Sequence, residues 1–100
     1  MPRLNMAVNH ALEPTEVVDR LKRFLDMVRR QYESQLSDYE ENWSEQSGSF
    51  RFRAMGFKID GNVVVEAEEV RIDGSLPLAA LMFKGKIEET IRQQLERVLT

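Results

Sequence analysis

The sequence predicts an α+β fold of two layers: a first strand, a long helix, an antiparallel meander of three to four strands and a closing helix, with both helices on one face of the sheet. Two observations carry this. Apolar residues recur at helical spacing in two stretches, Val17, Leu21, Phe24 and Val28, then Ile87, Ile91, Leu95 and Val98, whereas a period of two runs through much of the rest. With 42% apolar and 31% charged residues in a length of 100, the chain has enough apolar surface for a core and reads as a single domain, 1-100.

The elements follow in order. Leu4, Met6 and Val8 alternate with Asn5, Ala7 and Asn9, the pattern of a short half-buried strand. Glu13, Pro14, Thr15 and Glu16 then place acidic residues and a proline where a helix's free amides favour them. The apolar stripe continues through Tyr32 and predicts a helix over 14–36, with Arg29 and Arg30 near its end matching the helix dipole. From Tyr39 the period returns to two. A two-residue loop at Ser47 and Gly48 would set Trp43 opposite Phe52, and Arg51 and Arg53 opposite Ser44 and Asn42. Gly56 suggests a bulge or bend, and Asp60-Gly61 a tight turn before Val63, Val64 and Val65. Val70 and Ile72 alternate with Arg71 and Asp73 in a further strand that ends at Gly74. The last helix is expected from about Lys86 to Leu99.

Composition excludes several chemistries. With no cysteine there is no disulfide, thiolate nucleophile or cysteine metal site. His10 is the only histidine, so a histidine-pair metal site cannot be built; it is expected to bond locally and to be dispensable for folding. No G-x-S-x-G elbow and no glycine-rich phosphate loop occurs, and no catalytic residue, metal site or cofactor is assigned. Fourteen Lys and Arg against seventeen Asp and Glu give a net charge of -3, which argues against nucleic acid as partner. The first ten residues hold no apolar run of signal-peptide length and no stretch reaches the roughly 18 apolar residues of a transmembrane span, so a cytoplasmic protein is expected.

Two candidate groups remain. Tyr39, Trp43, Phe50, Phe52 and Phe57 are core if they face the helices; two helices cannot cover both faces of the small sheet, however, so some of this group, or Leu78 to Phe83, would stay exposed as a binding or self-association surface. Leu78, Leu81, Met82 and Phe83 are apolar at too many angles for burial from one side, and either form a contact patch or fold back over the sheet end.

The segments H-A-L-E-P-T-E-V (His10 to Val17), Y-E-E-N-W (Tyr39 to Trp43), F-R-F-R-A-M-G-F-K-I-D-G-N-V-V-V (Phe50 to Val65) and L-P-L-A-A-L-M-F-K-G-K-I-E-E-T-I (Leu76 to Ile91) together resemble the polyhydroxyalkanoic acid system protein family. These are small bacterial proteins named for genes lying near those of polyester storage granules. The resemblance implies a non-enzymatic accessory protein associated with granules, whose partner would be another protein, a second copy or the granule surface, and it supplies no catalytic residue. The element order also resembles a reduced helix-grip fold, which implies the alternative of a small carrier for an apolar or acyl ligand.

Overall fold

In a computed structural model, which describes residues 3–100, five strands form one antiparallel sheet. They are β1 (Arg3–Asn9), β2 (Leu36–Ser44), β3 (Ser47–Ala54), β4 (Phe57–Val65) and β5 (Glu69–Ser75), and their order across the sheet is β1-β5-β4-β3-β2. Consecutive hairpins join β2 through β5, and β1 closes the far side by pairing with β5, Met6 opposite Ile72 and Val8 opposite Val70. Two helices, α1 (Pro14–Gln31) and α2 (Lys84–Val98), cover one face.

The period of two selects that face. Leu4, Met6 and Val8 of β1 are buried while their neighbours are exposed; Val63 and Val65 of β4 do the same, with Val70 of β5 aligned between them. Val17, Val18 and Leu21 of α1, with Leu95 of α2 and Leu99 just after it, complete one apolar cluster with these strands. At roughly 25 cal/mol per Å² of apolar surface removed from water, this cluster dominates the stability. Phe24, Val28, Ile87 and Ile91, on the same stripes, are only half-buried.

The first helix carries its expected charges, Glu16 early and Arg29 and Arg30 late, and three ion pairs one turn apart along its surface. Arg20 also donates to the carbonyls of Val98 and Thr100 at 3.0 Å, fastening α1 to the end of α2. The helix stops at Gln31 and not at 36: Glu33–Gln35 form a single 3-10 turn with no apolar residue to extend the stripe, and β2 begins at Leu36. The second helix begins at Lys84, two residues before the expected start, after a 3-10 stretch at Leu78–Phe83.

The sheet differs from expectation in number and register. It has five strands: β2 to β5 form a four-strand meander, within the expected three to four, β1 adds a fifth by pairing with β5, and Asp60-Gly61 lies inside β4 and not at a turn. The turn before β4 is Met55-Gly56, with φ of 54° and 83°, the paired positive angles of a type I′ hairpin. The loop between β2 and β3 is Glu45-Gln46, so Trp43 faces Gly48 and not Phe52. Gly48 is what the indole requires, since a Cβ there would approach its ring to 2.8 Å. Arg51 and Arg53 consequently pair with Glu40 and Asp38, not Ser44 and Asn42, and a bulge between Ser37 and Glu40 leaves Asp38 at φ 54°.

His10 has more to hold than expected. It is buried, its Nδ1 accepts from the Leu12 N–H at 3.1 Å, and Nε2 therefore carries the proton it donates to the Glu66 carbonyl at 2.8 Å. The imidazole thus links the end of β1 to the loop before β5.

Candidate functional site

The inner face of the sheet is unevenly covered. Row by row, Leu4, Gly74, Gly61, Phe50 and Glu41 lie abreast, as do Met6, Ile72, Val63, Gly48 and Trp43. The β1 side of these rows is buried beneath both helices, while the aromatic residues of β2 and β3 are half-buried. Tyr39 and Trp43 are held from two directions. Their O–H and indole N–H donate to the two carboxylate oxygens of Glu41, each at 2.7 Å, and Arg29 and Lys22 of α1 lie over the respective rings at 5.3 and 5.6 Å. Burial pushes the Tyr39 phenol well above its ordinary range, and the bond to Glu41 with its negative charge adds to the rise.

Beyond these residues lies an open apolar cleft of about 620 Å³, between the sheet and the connection that runs from Leu76 into α2. Its floor is the backbone of Gly61 and Gly74. These two face each other across β4 and β5, where a Cβ on Gly74 would meet the Asp60 carbonyl at 2.5 Å, and the ring of Phe50, the partner of Gly61 on β3, lies over Gly61 so that a Cβ there would meet it at 2.6 Å. Phe50 and Phe52, stacked with centroids 6.4 Å apart, form one wall, and Ile87 and Ile91 of α2 another. Met55, Phe57 and Phe83 stand on the lining and are all exposed. The volume lies within the range of small-molecule sites, which are mostly apolar and concave.

The cleft therefore gathers residues from both sequence-derived groups. Phe50, Phe52 and Phe57 line it from the aromatic group and Phe83 from the apolar stretch; Tyr39 and Trp43 lie outside it, engaged with Glu41 and α1. Leu78, Leu81 and Met82 do not line the cleft but are exposed beside it, Met82 at 89%. Sequence reasoning passed over Met55, Ile59, Ile72 and the glycine floor. The signal for the floor was present, since glycine inside a strand pattern marks close approach of another chain segment, but Asp60-Gly61 also reads as a turn.

The opposite face is polar. Asn5, Asp73, Asn62, Ser49 and Asn42 form one row across all five strands, flanked by Arg51 bonded to Glu40 and Arg3 bonded to Asp73. Glu40 is held below the usual carboxylate range by the hydrogen bond and charge of Arg51. Among the described residues no group of three or more His, Asp and Glu side chains is placed to hold a metal ion, and no helix is long and apolar enough to cross a membrane.

No curated protein and no solved structure matches the chain. A family model does, over residues 4–99, and its description is "Putative polyhydroxyalkanoic acid system protein". That match spans every strand and both helices, including the floor, wall and rim of the cleft. The chain is a member of the polyhydroxyalkanoic acid system protein family.

Proposed function

We propose that the protein is a non-enzymatic, cytoplasmic accessory of the polyhydroxyalkanoate system that binds apolar material, and that it meets the polyester granule surface through the exposed segment containing Leu78, Leu81, Met82 and Phe83. The observation that supports this is the concentration of exposed apolar side chains along one margin of the molecule. These four are joined there by Met55 and Phe57; elsewhere Met27, Tyr32 and Val64 are exposed, on helix and outer sheet surfaces otherwise rich in charge. Burying several such side chains at roughly 25 cal/mol per Å² provides several kcal/mol against the entropy of adsorption.

Met55 adds a second line of support. Residues other than glycine, asparagine and aspartate seldom take positive φ, yet a methionine 88% exposed occupies that position at the mouth of the cleft. Local stability is given up there for an apolar side chain in solvent, a trade that fits a binding edge better than a structural turn.

The test is co-sedimentation with polyester particles, comparing the parent chain with Leu81→Ser/Met82→Ser, two positions outside the cleft lining. The reading expects the parent to pellet with the particles and the double variant to stay in solution while keeping its thermal midpoint. Equal partition of both would remove the segment from the surface contact. Sedimentation velocity of the parent without particles separates self-association through the same residues.

The cleft supports a second reading, a carrier of an apolar or acyl ligand held between sheet and helix. It is concave and almost wholly apolar, features that adsorption alone does not require.

A further inference from the structure

We infer that two copies of this chain form a symmetric dimer in which Leu78 and Met82 of each protomer seat in the cleft of the other. This rests on the granule-surface reading and adds to it that the dimer hides the granule contact when no particles are present.

The segment Leu78–Phe83 supplies both halves of such a contact. A 3-10 helix has three residues per turn, so residues three apart share a side. Ala80 and Phe83 share the side that lines the cleft. Leu78 and Leu81 share a second side and Met82 stands on the third; none of these three lines the chain's own cleft, and they are 74, 51 and 89% exposed. The chain thus carries an apolar projection beside an apolar recess, with Phe83 common to both. One twofold axis satisfies a projection and a recess on the same margin together and closes the assembly at two, whereas the same pair on opposite sides of a molecule would build a filament.

Recess and projection match in size and chemistry. A cavity of about 150 Å³ already takes a benzene-sized group. At about 620 Å³ the open cleft has room for Leu78 and Met82 of a partner together. Asp60 and Asp73 reach its boundary through their backbone, since strand alternation turns their side chains to the outer face, where Asp73 bonds Arg3 at 3.0 Å. Leu78 to Phe83 is likewise uncharged, so the contact buries no unpaired charge. Methionine, unbranched and adaptable, suits an irregular recess.

The exposed area points to a second copy. At roughly 150–200 Å² for a fully exposed side chain of this size, Leu78, Leu81, Met82, Phe83, Met55 and Phe57 present on the order of 700 Å². That exceeds the roughly 300–600 Å² of the largest apolar patch on a typical monomer and approaches the ~800 Å² that each partner buries in a stable interface.

Sedimentation equilibrium of the full chain, from about 5 μM to 1 mM, should show the average mass rising from 11.7 kDa toward twice that value. A mass that stays at the monomer's throughout overturns the dimer. In a mixture of methyl-labelled and unlabelled chains, isotope-filtered NOEs at the concentrated end should join the Met82 methyl of one copy to Ile72 and Ile91 of the other. Contacts of Met82 with Met82 or Leu81 of the other copy, and none with the isoleucines, would show two apposed patches and overturn the exchange. Ala54→Trp fills the lining from β3 and leaves the projection intact, with its fold checked by a melting curve at dilution. It should stay monomeric, and where the parent is mostly dimeric it should bind polyester particles at least about threefold more tightly than the parent. A variant that still dimerises removes the cleft as the seat; a monomeric one that binds no more tightly overturns the hiding of the granule contact. If neither chain pellets with particles while the parent dimerises, the granule reading falls and the dimer stands.

Discussion

Trp43 stands directly across the ladder from Gly48, and its indole occupies the space that a side chain there would need. The pair is a packing unit on the edge of the sheet, with Glu41 accepting the indole N–H and Lys22 over the ring. Gly48→Ala should displace the indole and cost about 1–3 kcal/mol. Trp43 is the only tryptophan, so its emission should shift to longer wavelength in the folded variant, and unchanged emission with unchanged stability would mean that the ring accommodates the methyl group.

His10→Ala should cost about 1–3 kcal/mol, because the Leu12 N–H and the Glu66 carbonyl each lose their imidazole partner. Denaturant midpoints check this. A midpoint equal to the parent's would restore the expectation, drawn from sequence alone, that the residue is dispensable.

Stability should fall in alkaline solution in a way that Tyr39→Phe removes. The folded-state pKa of Tyr39 is raised, so above the ordinary tyrosine value of about 10 the unfolded chain loses its proton first and the native state keeps it. The contribution is complete below that value and is lost as pH rises toward the folded pKa. Unfolding free energies measured at about pH 8 to 11 should decline for the parent and stay flatter for the variant.

Glu40 shows the opposite sign. Its carboxyl is lowered by Arg51, so the pair's contribution is present at neutral pH and disappears as acid protonates it through its folded pKa. The pair is fully exposed, so the difference between parent and Glu40→Gln should be small, and it should vanish both in acid and in high salt.

Met55→Asn should stabilise the protein by about 0.5–1 kcal/mol, since Asn-Gly is the favoured type I′ pair. The same change should weaken binding to apolar particles. Greater stability with undiminished adsorption would show that the methionine is not retained for contact.

Leu21→Ala and Leu95→Ala should each cost about 2–5 kcal/mol, and Phe24→Ala and Ile91→Ala about half as much, because the first two are fully enclosed and the others only partly. Thermal melts of the four variants measure the contrast.

Periodicity made the helices and the inner face legible: the stripes from Val17 to Val28 and from Ile87 to Val98, and the alternation of Leu4, Met6 and Val8, all fall where spacing places them. Turns were less legible, because glycine serves two purposes. Ser47-Gly48 and Asp60-Gly61 have the composition of hairpin loops, but both glycines are spent on close approach beneath Trp43 and Phe50. The turns themselves use Glu45 and Met55 at positive φ, residues with no local preference for it. Leu78 to Phe83 announced themselves as apolar residues in excess of what one face could cover. The cleft did not, because its walls come from β3, β4, β5 and α2, whose apposition no local spacing encodes.

The pairing of β1 with β5 also governs how the chain can fold as it is made. Everything from His10 to Glu68 must be synthesised after β1 before its partner strand exists, which at about 5–20 residues per second takes several seconds. During that interval Leu4, Met6 and Val8 have no sheet to join, while each meander strand finds its neighbour as soon as the next is complete. β1 therefore emerges unpaired, and its place at the edge of the sheet is filled only after β5 has been made.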